Sequence, residues 1–403
     1  MDIRILILQY FCEFSWRRGP ARMRAATLIG VGTILATALW ICRRRHGRPR
    51  RCNKHLRVHV WQDLTAHLME ALAASTDTSI TVGAESCPED AVVVVMPGSG
   101  WADDISALAK LPLLRAVIIP YAGLMAKHTD RLRALLGERL GLEDGVALHN
   151  LHHNAPVTAE MAIGLLFAAA KQLIPADQRF RQHDWRHRGL PFAGSVVEPP
   201  MPMLILEGRT ALILGLGAVG SRVATTCLSL GMSVIATKRS AGGSGALSEG
   251  GVELHPPDAL HRLLPRAHVL FVCLPSTDET RALIGAKQLN MLPDQAIVIN
   301  VGRGDVIEEQ PLFQALHSGR LHGAGLDVWW KYPKTYEEAS CTPPSACSFA
   351  SLTNTVLSPH RGGGVGVAEL EVLRMRRIGE MLTVAGREGL VHMPHRWNFE
   401  MGY

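Results

Sequence analysis

Residues 209–220 read Arg-Thr-Ala-Leu-Ile-Leu-Gly-Leu-Gly-Ala-Val-Gly, an apolar run that passes directly into Gly215-x-Gly217-x-x-Gly220. The first glycine of such a run permits a tight turn, and the second lets the backbone approach a pyrophosphate. The third lets a helix lie close on the strand, and the N-terminal N–H groups of that helix attract phosphate charge. The glycines alone would be a weak signal, because glycine-rich turns are common. Here an apolar strand precedes them, a helical stretch from Ala218 to Leu230 follows, and Gly231 to Thr237 supplies a second strand. That βαβ context specifies a dinucleotide site, with Gly215, Gly217, Ala218, Val219 and Gly220 against the cofactor.

The second strand ends without the usual acid. A carboxylate about 20 residues on normally accepts from the adenosine ribose hydroxyls. This chain has Thr237-Lys-Arg-Ser240 at that point. Lys238 and Arg239 would neutralise a ribose 2′-phosphate, and Ser240 adds a hydroxyl donor. The expected cofactor is therefore NADP(H), with NAD(H) as the alternative; an exposed basic strand end is the bland reading of the same residues.

The net charge of +6 misleads until it is divided along the chain. Residues 1–54 hold twelve Lys and Arg against two acids, so the remainder is slightly acidic. No basic stripe interleaved with aromatics occurs later, and nucleic-acid binding loses its support. Within the leader, Ala25–Cys42 is an uncharged run of 18 residues flanked by arginines, the heavier group on its C-terminal side. That length just suffices to span a bilayer, and the flank would leave the body in the cytoplasm. An Arg-rich, acid-poor start also suits an organelle transit sequence, and a start codon assigned too far upstream is a third reading; without an anchor or a transit sequence the protein would be cytosolic. The eight cysteines are scattered without a CxxC pair, so neither a disulfide framework nor a zinc site is expected.

Short apolar runs alternate with helical stretches through the body, which indicates parallel sheet. Strands are expected at 56–61, 91–96, 116–120, 267–274, 296–301 and 323–328, and helices at 63–75 and 159–173, the latter apolar enough to be buried nearly all round. Residues 189–202 and 331–351 read as loops, rich in Pro, Gly, Ser and Thr. The His-rich segment 149–153 is expected to be loop or cap, since no carboxylate stands at metal-ligand spacing.

Four motifs in order resemble the D-isomer-specific 2-hydroxyacid dehydrogenases. They are the fingerprint, Leu274-Pro-Ser-Thr-Asp-Glu-Thr280, Ile299-Asn-Val-Gly-Arg-Gly304 with Gly323-Ala-Gly-Leu-Asp-Val328, and Ser358-Pro-His360. The resemblance runs from about Leu56 to Tyr403. It implies an α/β fold of two Rossmann-like domains with parallel sheets, the nucleotide domain inserted into a discontinuous substrate domain. The boundaries would be 55–154 and 361–403 for the substrate domain and 155–360 for the nucleotide domain, with Pro156 to Glu160 opening the long hinge-region helix. It also implies a homodimer, an active site between the domains, and reversible hydride transfer between the nicotinamide cofactor and a small 2-keto or 2-hydroxy acid.

By the same resemblance, Arg303 grips the substrate carboxylate and polarises the carbonyl, and His360 exchanges the proton. Tyr121, Ala122 and Gly123 match the backbone that holds the carboxylate. Leu274, Pro275, Thr280, Val301, Gly302, Asp327 and Gly362 match nucleotide contacts, Asp327 accepting from the carboxamide. One departure stands out: most members carry a glutamate five residues after that aspartate, paired with the histidine, and this chain has Tyr332. Three accounts follow. Tyr332 bonds His360 through its hydroxyl, Glu337 or Glu338 swings into place, or proton transfer is dispensable, as in the similar formate dehydrogenases. The resemblance points to a glyoxylate or hydroxypyruvate reductase, with a dehydrogenase of another small anion or a non-catalytic nucleotide sensor as the alternatives.

Overall fold

The computed structural model describes residues 56–76, 78–83, 87–97, 105–123, 126–141, 145–185, 203–241, 246–247, 250–364 and 366–399. The basic leader with its 25–42 run, and the loop expected at 189–202, lie outside the described residues. Among the described residues no single helix is long and apolar enough to cross a membrane.

Two sheets organise the described residues. The first holds β1 (Arg57–Val60), β2 (Ser79–Val82), β3 (Val93–Val95), β4 (Ala116–Ile118) and β5 (Ala147–His149), all parallel, in the order β2-β1-β3-β4-β5. β3 and β4 are apolar and buried at every position, as a parallel sheet covered on both faces requires. Separate apolar clusters cover its two faces, one built around Val58, Val93 and Ile118, the other around Val94, Val117 and Leu148.

The second sheet comprises β6 (Thr210–Leu214), β7 (Ser233–Thr237), β8 (Ala246–Leu247), β9 (Glu253–His255), β10 (Val269–Val272), β11 (Ile297–Asn300), β12 (Gly323–Leu326) and β13 (Thr355–Leu357). Its order is β13-β12-β11-β10-β6-β7-β9-β8, parallel except for the β8–β9 edge. The strand order reverses direction between β6 and β10, and the crevice beyond the carboxyl ends of those strands is where such sheets bind dinucleotides. Gly215 lies there beside Cys273 and Leu274, at the end of β10.

The helices follow as α1 (Ala66–Ala73), α2 (Ala126–Leu136), α3 (Ala155–Ala170), α4 (Leu173–Phe180), α5 (Ala218–Ser229), α6 (Leu260–Leu263), α7 (Ala286–Met291), α8 (Glu309–His317) and α9 (Ala368–Glu388). α3 starts with proline in its first turn, where a missing N–H costs nothing. Its buried residues recur at helical spacing from Ala155 through Thr158, Ala162, Leu165 and Ala169, on the face turned to β11, β12 and α5. Only Glu160 and Gly164 of this helix are exposed, as the expected near-complete burial requires, and Ile163 and Phe167 are partly buried against the same core. In the His-rich segment, residues 150–153 form the expected loop before α3, and only His149 differs. His149 is a fully buried strand residue in β5, because the C-terminal segment pairs with that strand through Arg396.

α9 returns to the first sheet and packs on α1. Their approach is close: a Cβ at Gly379 would stand 2.5 Å from Ser75 Cβ and 3.0 Å from the Leu72 carbonyl. Gly379→Leu is therefore expected to force the helices apart at a cost of about 1–3 kcal/mol, the range of overpacking. Thermal unfolding would show this as a fall in Tm of several degrees, and Gly164→Ala, in α3 with open space around it, bounds the backbone effect alone.

Candidate active site

The fingerprint folds as its glycines require. Gly215 takes φ +93°, a turn that L side chains rarely adopt. A Cβ at Gly220 would collide with the Gly215 carbonyl, so only glycine lets α5 start this near β6. Gly217 forms the N-cap of α5 with no side chain bonding its N-terminal amides, and nothing lies within 4 Å of where its Cβ would be. Open space in front of uncapped helical N–H groups suits a pyrophosphate. Leu274 and Pro275 flank this space from β10, and Thr280 closes the 275–280 turn by donating its hydroxyl to the Pro275 carbonyl at 2.6 Å. Val301 and Gly302 are buried at the end of β11.

Beyond β7, Lys238, Arg239 and Ser240 are exposed. The Lys238 N–H donates to the His255 carbonyl at 2.9 Å, which fixes the start of this segment to β9. The nearest carboxylate on β9, Glu253, is already committed. Arg266 donates to both its oxygens at 2.7 Å and holds its pKa down to about 2.

Arg303 sits on the turn after β11. Buried Asn300 braces that turn twice, its amide donating to the Arg303 carbonyl at 2.9 Å and its oxygen accepting from the Gly302 N–H at 3.1 Å. The guanidinium donates to the Gly302 carbonyl at 2.7 Å. Burial lowers its pKa from the usual value, yet an arginine at this position keeps its charge. Its outer end lies on Gly123, where any Cβ would collide with Nη2. The loop after β4 of the first sheet and the turn after β11 of the second thus meet around one cation. Neither the Ala122 N–H nor the Gly123 N–H has a partner among the described residues, so both remain as donors beside it.

His360 lies in the turn after β13, in left-handed conformation at φ +58°. A non-glycine residue pays about 1–3 kcal/mol for such backbone unless its surroundings over-determine it. Asp327, 1 % exposed, supplies that restraint. It accepts from the Ser358 hydroxyl at 2.5 Å and from the Arg361 N–H at 2.8 Å through Oδ1, and from the Gly362 N–H at 2.9 Å through Oδ2. All three contacts fall on the turn that carries His360, and Oδ2, with a single donor, keeps acceptor capacity. The Gly362 carbonyl accepts from Thr158 of α3 at 2.7 Å, tying the turn to the long helix.

The position where the resemblance implies an acid is filled by a phenol. Tyr332 Oη lies 2.9 Å from His360 Nδ1, and it accepts from the Trp329 N–H at 3.1 Å. Glu338 is occupied elsewhere, accepting from the Lys334 N–H at 2.8 Å, and both Glu337 and Glu338 are exposed. With the Trp329 bond taken, the one phenolic proton is available to Nδ1 of a neutral ring, which leaves the ring proton on Nε2. Burial lowers the His360 pKa below its ordinary value; Asp327 raises it in part and Arg303 lowers it further. Sequence reasoning overlooked Asn300, Trp329 and Asn150. The signal for Asn300 was its place three residues before the arginine; a backbone donor such as Trp329 N–H leaves no signal in sequence. Among the described residues no group of three or more His, Cys, Asp or Glu is placed to hold a metal ion, and the five described cysteines are free.

Residues 163–362 match the family model of the D-isomer specific 2-hydroxyacid dehydrogenase NAD binding domain. The chain is 34% identical over 220 residues to a glyoxylate reductase of Thermococcus onnurineus, covering 53% of this chain and 60% of that protein. It is 33% identical over 219 residues to a D-3-phosphoglycerate dehydrogenase of Archaeoglobus fulgidus, covering 54% of this chain and 37% of that protein. The matched region thus spans less than two thirds of those relatives. A glyoxylate reductase of Aeropyrum pernix is matched more fully, at 32% identity over 278 residues, 68% of this chain and 74% of that protein. In fold, the chain is similar to a D-isomer specific 2-hydroxyacid dehydrogenase from Xanthobacter autotrophicus solved with NADPH and MES, with a TM-score of 0.61 at 23% identity over 86% of this chain and 100% of that one. With these matches and the fingerprint, arginine and histidine turns in place, the chain belongs to the D-isomer-specific 2-hydroxyacid dehydrogenase family.

Proposed function

We propose that the protein is an NADP(H)-dependent reductase of small 2-keto acids, of the glyoxylate or hydroxypyruvate type. The observation that carries this reading is the convergence of Arg303, two open backbone donors and His360 at the carboxyl ends of the sheets. The nucleotide domain would comprise 155–360 and the substrate domain 55–154 with 361–403. Bound nicotinamide would supply the hydride, and Gly215, Gly217, Gly220 and the start of α5 would hold its pyrophosphate. Arg303 with the Ala122 and Gly123 N–H groups would hold the carboxylate and polarise the keto oxygen. His360 Nε2 would give that oxygen its proton. The exposed apolar side chains Leu173, Ile174 and Phe180 of α4 would suit burial against a second copy of the chain.

Steady-state oxidation of NADPH with a panel of 2-keto acids tests the activity. Turnover of glyoxylate or hydroxypyruvate is expected, and tight cofactor binding without turnover on any member would favour a sensor. For the cofactor, Lys238→Ala/Arg239→Ala is expected to raise the KM for NADPH about tenfold or more while leaving that for NADH nearly unchanged, since each charge-assisted contact to a phosphate is worth roughly 1.5–3 kcal/mol. A wild type that prefers NADH would end the assignment.

Tyr332 makes a pH prediction. The protonated ring is the donor for reduction, and its folded pKa is below the ordinary 6.5. The competent fraction therefore falls as pH rises through that lowered value, so kcat/KM for reduction declines at lower pH than an unperturbed histidine would give. Tyr332→Glu places a negative charge against Nδ1 and should move the decline upward by about one pH unit or more. Tyr332→Phe removes the bond to Nδ1 and should cost about tenfold in kcat with the KM for NADPH unchanged. Glu337→Gln/Glu338→Gln should leave the profile where it is; a large loss of kcat there would hand the role to one of those acids.

A further inference from the structure

The carboxylate cradle has a support that lies outside every motif of the chain. Asn150, 5 % exposed, follows β5 and donates its side-chain amide to the Ala122 carbonyl at 3.1 Å. The next residue, Leu151, donates its N–H to the Tyr121 carbonyl at 3.3 Å. In a trans peptide the C=O and the following N–H point in opposite directions, and the described residues contain no cis bond. Holding the Tyr121 and Ala122 carbonyls toward residues 150 and 151 therefore turns the Ala122 and Gly123 N–H groups the other way. Gly123 lies against the Arg303 guanidinium, so these open donors stand beside the cation that an anion would approach.

Asn150 is itself fixed by the C-terminal segment. Its N–H donates to the His395 carbonyl at 3.1 Å, and the Trp397 N–H donates to the Leu148 carbonyl at 2.7 Å. His149 Nδ1 bonds the Pro394 carbonyl at 2.9 Å, and burial holds this histidine at a pKa of about 4, so the neutral ring donates there through Nδ1. The amide thus has an immobile backbone behind it and a single loop carbonyl in front.

We propose that Asn150 is a positioning residue for substrate: through the Ala122 carbonyl it aims the two cradle N–H groups at the carboxylate. The proposal rests on the keto-acid reading for its ligand, but it is a statement about anion binding and is testable without turnover. Without the amide donor, the Ala122–Gly123 peptide loses the contact that sets its plane, and the Gly123 N–H is free to rotate away from Arg303. The loss falls on the anion and not on the cofactor, whose contacts lie on the second sheet.

The test uses the full chain, wild type beside Asn150→Ala and Asn150→Asp, the latter nearly isosteric but unable to donate when ionised. Calorimetric titration of the NADPH-loaded protein with oxalate, a non-reacting two-carbon carboxylate, is expected to show affinity weakened about tenfold or more in both variants. NADPH affinity should stay within about twofold, Tm nearly constant, and any glyoxylate turnover should lose KM more than kcat. Oxalate affinity equal to wild type in the Asp variant, or oxalate and NADPH affinity falling together with Tm, would overturn the role of Asn150. A wild type that binds no oxalate overturns it as well. A wild type that binds oxalate but reduces no keto acid removes only the activity.

Discussion

The buried carboxylate of Asp327 is the contact on which the reactive geometry depends. Three donors reach it from one five-residue turn, Ser358 through its hydroxyl and Arg361 and Gly362 through their backbones. A buried charge is tolerated only when hydrogen bonds replace the water it lost, and here they come from both sides of His360. That is why a histidine is held at positive φ, and why its ring is presented to Tyr332 and to the field of Arg303. Asp327 links the end of β12 to the turn after β13, so the geometry of the second sheet is passed directly to His360.

Arg303 is the second fixed group of the site. Its turn is braced by Asn300 within the second sheet, while its guanidinium rests on Gly123 beyond the first. The cation, the open N–H groups of the loop and the histidine therefore come from three separate turns brought together by two sheets. The replacement of the family's acid by Tyr332 keeps the hydrogen bond to Nδ1 and drops its charge. Orientation of the ring is preserved, while the stabilisation that a carboxylate gives an imidazolium is absent.

Much of this site was legible in the sequence because the relevant residues stand next to their structural cause. Gly215, Gly217 and Gly220 follow an apolar strand and open a helix, and the physics of that turn admits few alternatives. Arg303 and His360 stand at strand ends, where parallel sheets expose side chains. The three accounts of the missing glutamate could not be separated by reading, because Tyr332, Glu337 and Glu338 are all within reach along the chain. Distance favours the first account: the hydroxyl of Tyr332 meets Nδ1, and Glu338 bonds the Lys334 N–H. The burial of His149 was not legible in the sequence, because the segment that covers it lies more than 240 residues away.

The sequence by itself determined the parallel strands, the dinucleotide turn, the basic end of β7 and the residue types available for anion and proton chemistry. These follow from local spacing, since apolar periodicity and glycine placement act over a few residues. Only the tertiary structure decided that Asp327 serves the histidine turn, that Gly123 lies against Arg303, and that Asn150 holds the Ala122 carbonyl. Each of these joins segments separated by 28 residues or more, or crosses from one sheet to the other. No local propensity specifies such contacts; they follow from how the two sheets bring separate turns together.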